Sequence, residues 1–280
     1  MKKRMKKRIV LCVLILSIIA AVVVPAATAS DSYPTVNIYI NGQKQDLEVP
    51  AMLIGSTTYV PVRAFSHAMG ADTITWDGAS ATSTVYGPGV TISAKVNSDY
   101  FVANGRYLYT PTGCKLVNSN FMLPIRQMVK AFGSSLEWDG SSRSVYITKG
   151  YSSITPASGY YNSDDVYWLS RIIHAEANGE GLLGQLAVGN VIMNRVKSPL
   201  YPNTVKNVIF DKRSGIQFTP AYSGAIYNTP RESCIIAAKM TLEGDVSVVG
   251  SSLFFTSSRS SWASRNRPYV TTIGNHYFYA

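Results

Sequence analysis

Two similar stretches of alternating and helical patterning occupy the first half of the chain. Residues 59–63, Tyr-Val-Pro-Val-Arg, recur as residues 122–126, Met-Leu-Pro-Ile-Arg. Each copy continues through a short helical pattern to a glycine and then to a Trp-Asp-Gly triplet, at 76–78 and 138–140. The copies lie 62 or 63 residues apart, so the pattern indicates one duplicated unit.

Each unit predicts a strand that leads into a helix, followed by a strand-turn-strand. The proline stands near the helix start, where its missing N–H is tolerated, and Gly70 or Gly133 ends the helix. The Asp-Gly pair then closes the turn between two strands. Residues 35–43 alternate and turn at Asn41-Gly42, which is a strong hairpin signal. We therefore predict a small duplicated α+β domain over residues 30–150.

A change in composition separates this domain from the rest of the chain. Residues 151–163 are rich in Ser, Pro and Gly and lack apolar periodicity, which predicts a linker. Ser163 then suits a helix N-cap, with two aspartates in the first turn, and the helical pattern ends near Ala177. Residues 164–280 are predicted to form the C-terminal domain.

The first helix of the C-terminal domain carries a carboxylate on its apolar face. Leu169, Ile173 and Glu176 are spaced by four and three residues, so they share one side of the helix. A buried, unpaired carboxylate tends to hold its proton, and a proton-holding Glu suits a general acid for a glycosidic oxygen. The alternative is a structural role, in which Glu176 pairs with Arg171 or Arg195 or lies in water.

A longer pattern surrounds Glu176. Residues 169–180 read Leu-Ser-Arg-Ile-Ile-His-Ala-Glu-Ala-Asn-Gly-Glu, and related stretches follow in order at 184–196, 201–204, 217–220, 252–255 and 267–276. Together they resemble the cell-wall hydrolase SleB family of spore-cortex-lytic enzymes, from Val166 to the C-terminus. The resemblance implies a mainly helical, lysozyme- or transglycosylase-like domain with a small β element. It also implies cleavage between N-acetylmuramic acid and N-acetylglucosamine, with Glu176 as the catalytic acid.

The duplicated N-terminal pattern resembles a second family. Its Val-Pro-x-Arg, Gly and Trp-Asp positions are similar to those of the copper amine oxidase-like N-terminal domain. His67 stands alone, and the sequence has no His/Cys/Asp cluster with metal-ligand spacing, so we expect no metal and no cofactor. We expect this domain to bind the cell wall.

Six residues are predicted to bind the substrate in the C-terminal domain. They are Asn194, Gln217, Phe218, Thr219, Tyr222 and Trp262. Gln217, Phe218 and Thr219 suit a sugar platform with a stacking ring and hydrogen-bonding neighbours, although Phe218 equally suits plain core. The other two aromatic residues can stack on sugars or cover a small core. Asn194 either bonds to the backbone or points into the cleft.

The other acids of this domain are few. Glu180 lies beyond the predicted helix end, so a loop-capping role is favoured over a second catalytic carboxylate. Glu232 belongs to a predicted capping box, Thr-Pro-Arg-Glu at 229–232. Asp211, Glu243 and Asp245 are the remaining main candidates. This scarcity favours a transglycosylase, in which groups of the substrate replace a second carboxylate, over a hydrolase.

The N-terminus indicates export. Residues 1–8 are rich in Lys and Arg, an apolar run follows from Ile9 to Val24, and the small residues 27–29 complete a signal-peptide pattern over 1–29. An uncleaved membrane anchor is the weaker alternative, because the apolar run is shorter than the ~20 residues of a spanning helix. Cys12 lies in this leader, which leaves Cys114 and Cys234, in different predicted domains, with their pairing open.

Charge and composition limit the classes of molecule that the protein is expected to bind. The formal net charge of +10 falls to about +4 without the six basic residues of the leader. A mildly basic surface suits an anionic wall polymer, and no basic cluster interleaved with aromatics indicates nucleic acid. We therefore predict a secreted, wall- or spore-associated enzyme acting on peptidoglycan. An accessory wall or spore-coat protein is a further partner class, and the alternative function is a non-catalytic wall-binding protein.

Overall fold

The computed structural model describes residues 32–245 and 247–280. The predicted leader, 1–29, and Cys12 lie outside the described residues. The strands are β1 (Thr35–Ile40), β2 (Gln43–Gln45), β3 (Ala51–Ile54), β4 (Thr57–Pro61), β5 (Thr73–Asp77), β6 (Thr82–Gly87), β7 (Val90–Lys95), β8 (Tyr100–Ala103), β9 (Arg106–Tyr109), β10 (Lys115–Val117), β11 (Asn120–Pro124), β12 (Ser135–Asp139), β13 (Ser144–Thr148), β14 (Phe254–Thr256), β15 (Tyr269–Ile273) and β16 (His276–Tyr279).

The helices alternate with these strands in the first half and dominate the second. They are α1 (Val62–Met69), α2 (Ile125–Ala131), α3 (Ala157–Tyr160), α4 (Ser163–Ala177), α5 (Leu182–Lys197), α6 (Val205–Ile209), α7 (Pro220–Ser223), α8 (Glu232–Glu243) and α9 (Trp262–Asn266), with a 3₁₀ turn at Ala225–Tyr227. No helix of the described part of the chain is both long and apolar enough to cross a membrane.

The two sequence copies pair with each other within one sheet. Strands β4 and β11 run antiparallel, with Val60 opposite Leu123. The sheet has the order β10-β11-β4-β3-β1-β13-β12, and β2 pairs with β1. A second, five-stranded sheet has the order β5-β6-β7-β8-β9. Buried apolar side chains of both sheets and of α1 and α2 form one core, which confirms the predicted α+β fold of this region.

The local turns follow the predicted chemistry. Pro61 and Pro124 end a strand and immediately precede the helices α1 and α2. Gly70 ends α1 with a φ of 101°, a left-handed conformation that costs glycine little. Asn41 and Gly42 both have positive φ and join β1 to β2, as the hairpin signal predicts.

The second half of the chain is mainly helical, with one small sheet. Helices α4, α5 and α8 pack against one another, and a three-stranded sheet with the order β14-β16-β15 completes the domain. Helix α4 ends at Ala177 as predicted, but its N-cap is Asn162, whose side chain accepts hydrogen bonds from the next two aspartate N–H groups. The predicted capping box at 229–232 is wrong: α8 begins at Glu232, and its N-cap, Arg231, forms no side-chain cap.

The predicted linker packs more than its composition suggests. Residues 32–280 form one compact unit. Ile154 is buried in the core of the first half, and its N–H donates to the carbonyl of Ala131. Residues 157–160 form the short helix α3. The boundaries 30–150, 151–163 and 164–280 stay predictions.

The two halves meet at a buried ionic network. Glu243, at the end of α8, accepts hydrogen bonds from Arg106 Nε at 2.9 Å and Arg106 Nη2 at 2.6 Å. Lys130 Nζ and the Tyr161 hydroxyl donate to the same carboxylate at 2.8 and 2.6 Å. The Arg106 guanidinium also lies 3.3 Å from the centre of the Tyr160 ring. Residues of the first half, the predicted linker and the second half therefore share one carboxylate.

Candidate active site

A cavity of about 410 Å³ opens at the C-terminal end of α4. Glu176 reaches it from α4 and Arg195 from α5, while His276 reaches it from β16. Residues 217–220, the strand β14 and the start of α9 complete the wall. Elements from the whole second half of the chain therefore converge on Glu176.

Glu176 lies at the end of the predicted apolar face. Leu169 and Ile173 on the same side of α4 are fully buried, and Glu176 is half-buried. No residue of the described chain forms a hydrogen bond or ion pair with the Glu176 carboxylate. Burial therefore raises the pKa of Glu176 above its ordinary value. A carboxyl group in this environment holds its proton to higher pH than one in water, which is the property of a general acid.

The two arginines that could pair with Glu176 are engaged elsewhere. The Arg171 guanidinium lies 3.7 Å from the centre of the Tyr167 ring. Arg195 Nε donates to the carbonyl of Leu253 at 2.7 Å. The structural alternative for Glu176, a fold-supporting ion pair, is therefore absent among the described residues.

His276 is a cavity residue that the sequence analysis did not single out, and Arg195 is named there only as a possible ion-pair partner of Glu176. Arg195 is only 4% exposed and its Nη1 has no hydrogen-bond partner among the described residues. Burial lowers the pKa of Arg195 and also that of His276, whose buried Nδ1 likewise lacks a partner in the described chain. Both residues stand in stretches that carry the family resemblance. Their burial depends on strands far away in sequence, which residue spacing does not reveal.

Four of the six predicted substrate-binding residues line the cavity: Gln217, Phe218, Thr219 and Trp262. Phe218 is only 2% exposed and belongs to the core of the second half, so it forms part of the wall as a core side chain. Trp262 is 55% exposed, with its ring 5.7 Å from that of Phe254. An indole exposed at the rim of a cavity can lie against a sugar ring, and Trp262 is the better candidate for that role.

The remaining two predicted residues lie outside this cavity lining. The Asn194 side chain donates to the carbonyls of Gly250 and Ser252 at 2.8 and 3.0 Å, so it holds the backbone instead of pointing into the cleft. The Tyr222 hydroxyl donates to the carbonyl of Phe210 at 2.5 Å, and its ring packs on the core. Both contacts are structural.

Glu180 caps a turn. Its Oε1 accepts hydrogen bonds from the Asn275 backbone N–H at 3.3 Å and from the Asn275 side chain at 2.8 Å. The turn contains Gly274 with a φ of 56°, and a Cβ at that position would overlap the Glu180 carboxylate. This contact joins the end of α4 to the β15–β16 hairpin beside His276. It gives Glu180 a structural role, as favoured from the sequence.

Glu180→Gln tests that role. The amide keeps an acceptor for Asn275 but loses the negative charge, so we expect activity within a few-fold of wild type. The hydrogen bonds are exposed, so the loss of unfolding free energy should be below about 1 kcal/mol. Turnover on purified sacculi and thermal unfolding measure the two effects. A 100-fold loss of turnover at unchanged stability would instead make Glu180 a second catalytic carboxylate.

The other acids considered from the sequence are committed elsewhere. Asp211 pairs with Arg213 at 2.9 Å, Glu243 holds the ionic network, and Asp245 pairs with Lys130. Among the described residues, Glu176 is the one carboxylate that lines this cavity. The arrangement offers one proton donor surrounded by neutral and cationic groups.

Two cysteines lie in the described part of the chain. Cys114 and Cys234 are both free and buried. Residues 32–245 and 247–280 contain no group of three or more His, Cys, Asp or Glu side chains that could hold a metal ion.

Comparison with known families matches both halves of the chain. Residues 179–279 match the family model described as Cell Wall Hydrolase. Residues 39–147 match the Copper amine oxidase N-terminal domain. Each match covers one of the two regions that the sequence patterns separated.

Individual relatives agree with the first match. A spore cortex-lytic enzyme of Halalkalibacterium halodurans is 35% identical over 42% of this chain and 35% of its own length. One of Bacillus cereus is 36% identical over 42% of this chain and 45% of its own length. The chain thus spans less than half the length of these two relatives.

A solved structure covers the same region. The catalytic domain of the germination-specific lytic transglycosylase SleB from Bacillus anthracis is 34% identical, with a TM-score of 0.39, over 45% of this chain and 100% of that domain. The second half of the chain is thus similar to the cell wall hydrolase family, and the first half is similar to the copper amine oxidase N-terminal domain.

Proposed function

We propose that the chain is an exported enzyme that cleaves peptidoglycan glycan strands between N-acetylmuramic acid and N-acetylglucosamine. The observation that carries this proposal is the unpaired, half-buried Glu176 carboxyl in a cavity of about 410 Å³. Its raised pKa suits a proton donor to the glycosidic oxygen. The match of residues 179–279 to the cell wall hydrolase family supports the substrate class.

The residues around Glu176 suggest how one carboxyl group could serve both halves of the reaction. Glu176 first gives its proton to the leaving sugar oxygen as the glycosidic bond breaks, and becomes a carboxylate. Glu176 then takes a proton from the group that attacks the anomeric carbon, which restores the acid.

The identity of the attacking group distinguishes a transglycosylase from a hydrolase. Hydrolases of the common two-carboxylate type need a second acid at a defined separation. The described cavity lining offers Glu176 alone, which favours attack by a hydroxyl of the muramic acid itself and formation of a 1,6-anhydro sugar. The Bacillus anthracis relative is described as a lytic transglycosylase. We therefore favour lytic transglycosylation.

The relatives' names support a biological setting. Two relatives are spore cortex-lytic enzymes, so we propose action on spore cortex or cell-wall peptidoglycan, with the predicted leader directing export.

Product analysis tests the reaction type. Purified sacculi incubated with the enzyme should release muropeptides that end in 1,6-anhydro-muramic acid, which are lighter by one water than the hydrolysed products. Mass spectrometry before and after borohydride treatment separates the two, because a reducing end gains hydrogen and an anhydro end does not. Reducing ends alone would assign hydrolysis. No released muropeptide at all would favour the non-catalytic wall-binding protein.

A further inference from the structure

Two grooves of nearly equal size lie in the duplicated N-terminal domain, away from Glu176. Groove 1, which includes Arg63 and Trp76 in its lining, has a volume of about 490 Å³. Groove 2, which includes Arg126 and Trp138, has a volume of about 510 Å³. Both are larger than the cavity at Glu176, and both fall within the usual range of small-ligand sites.

The two grooves are related by the internal duplication. Residues 63 positions apart, Val60 and Leu123, face each other in the β4–β11 pair, so an approximate two-fold axis passes between these strands. Each groove combines the helix start and Trp hairpin of one copy with the β-hairpin of the other. Phe121 of the second copy lines groove 1, and Thr58, its counterpart in the first copy, lines groove 2. The same site is therefore built twice.

Each groove presents an exposed indole. Trp76 is 46% exposed and Trp138 is 43% exposed. Two large aromatic side chains left in solvent at equivalent positions are not explained by the core. An indole in an open groove offers a flat apolar face, which suits the C–H face of a sugar ring.

Each groove also contains an arginine whose guanidinium has no hydrogen-bond or ion-pair partner among the described residues. Arg63 and Arg126 are the second residues of α1 and α2, both are exposed, and neither forms a hydrogen bond or ion pair with a described residue. A guanidinium recognises a carboxylate through two parallel hydrogen bonds. Ser119 and Asn120 in groove 1, and Ser56 and Thr57 in groove 2, add hydroxyl and amide groups that can bond to sugar hydroxyls.

We propose that grooves 1 and 2 are a pair of equivalent binding sites for a peptidoglycan repeat, that is, a saccharide whose stem peptide bears a carboxylate. The proposal rests on the peptidoglycan substrate proposed above. A polymer offers the repeat many times, so one domain can hold one strand or two neighbouring strands at both grooves. Binding at the first groove raises the effective concentration at the second, which gives avidity without a tight single site.

The grooves differ in one charge. Glu48 lines groove 1, whereas Pro111 holds the equivalent position in groove 2. Groove 2 therefore has a positively charged lining with no acid among its described residues. We expect Arg126→Gln to weaken binding of an acidic ligand more than Arg63→Gln does.

A pelleting assay tests the pair of sites. The full chain carries Glu176→Gln in every sample, so the wall is not digested during the measurement. Trp76→Ala and Trp138→Ala should each raise the apparent Kd for purified sacculi by about 5- to 10-fold. The double substitution should raise it by about 25- to 100-fold, the product of the two single effects, because both grooves then lack their indole. Thermal unfolding checks that each variant is folded.

Tyr86→Ala is the matched control. Tyr86 is 48% exposed in the same domain and lies outside both groove linings, so its loss should leave pelleting unchanged. A folded double Trp variant that pellets as well as this control overturns the proposal. An effect at only one groove overturns the pairing.

Two wall preparations distinguish whether peptidoglycan or a secondary wall polymer supplies the carboxylate. Sacculi stripped of secondary polymers by acid extraction should bind as well as unextracted sacculi. Binding that disappears on extraction assigns the ligand to an anionic secondary polymer and overturns the assignment to the peptidoglycan repeat.

The binding test and the activity test can fail independently of each other. Pelleting is read without cleavage, and cleavage is read separately with Glu176 intact. A chain that pellets through both grooves but releases no muropeptide retains the groove proposal and loses the enzymatic one. A chain that releases muropeptides but pellets independently of both tryptophans retains the enzymatic proposal and loses the groove proposal.

Discussion

Replacing Glu176 by Gln is expected to lower muropeptide release by about 10²- to 10⁴-fold while leaving the fold intact. The amide keeps the shape of the side chain but has no proton to give to the glycosidic oxygen. In the wild type, activity should fall as the pH rises through the pKa of Glu176, which burial raises. Muropeptide release from sacculi, measured for both proteins across a pH series, gives the activity loss of the variant and the pH dependence of the wild type.

The same substitution has an opposite effect on stability. The pKa of Glu176 is raised in the folded protein, so its favourable contribution is complete below the unfolded pKa of about 4.3 and is lost as the pH rises through the folded value. Above that value the wild type carries a buried carboxylate, and the variant does not. The thermal midpoint of Glu176→Gln should therefore equal or exceed that of wild type, and the difference should grow with pH.

Glu232→Gln is the control for charge. This is the same chemical change in the same domain, but Glu232 is exposed and lies outside the cavity lining, so activity should be unchanged. The midpoint should fall only slightly, because Glu232 stands in the first turn of α8, where the helix dipole favours a negative charge. Activity of Glu176→Gln within a few-fold of wild type would remove Glu176 as the acid. Loss of activity together with several degrees of midpoint would instead mean that Glu176 supports the fold.

Local sequence rules predicted the elements and their repeat. The duplicated Pro-x-Arg and Trp-Asp-Gly patterns gave two strand–helix–hairpin units, since proline, glycine and apolar periodicity act over a few residues. The apolar face that ends at Glu176 was visible for the same reason, because i, i+3 and i+4 neighbours share a helix side. These parts of the fold and site needed no information from distant residues.

Features formed by distant residues were not predictable in this way. The pairing of β4 with β11 places the helix of one copy against the hairpin of the other, and no local pattern specifies it. Arg195 reads as an ordinary helix residue until Leu253, far along the chain, accepts its hydrogen bond. The capping box at 229–232 had the right residue types, but the backbone there starts α8 two residues after the proline.

Replacing Arg106 by Met is expected to cause the largest loss of stability among these variants. Arg106 is 4% exposed and gives two hydrogen bonds to the buried Glu243 across the junction of the two halves. Breaking a buried pair leaves its partner's charge without compensation, which costs about 3–5 kcal/mol. Lys130 and Tyr161 still contact Glu243, so we expect the lower end, about 3 kcal/mol, in denaturant-induced unfolding.

Arg213→Met is the matched control, because Arg213 also makes two hydrogen bonds to one carboxylate, that of Asp211, but is 60% exposed. Its loss should cost much less stability, because water screens an exposed ion pair. Burial alone would raise the pKa of Glu243, but the hydrogen bonds from Arg106, Lys130 and Tyr161 outweigh it and hold that pKa below its usual value. The stabilisation is therefore present above pH ~4.3 and is lost as the pH falls through the folded pKa. Acidification should narrow the gap between wild type and Arg106→Met. Equal losses for Arg106→Met and Arg213→Met, or a gap that does not change with pH, would mean that the Arg106–Glu243 pair does not hold the two halves together.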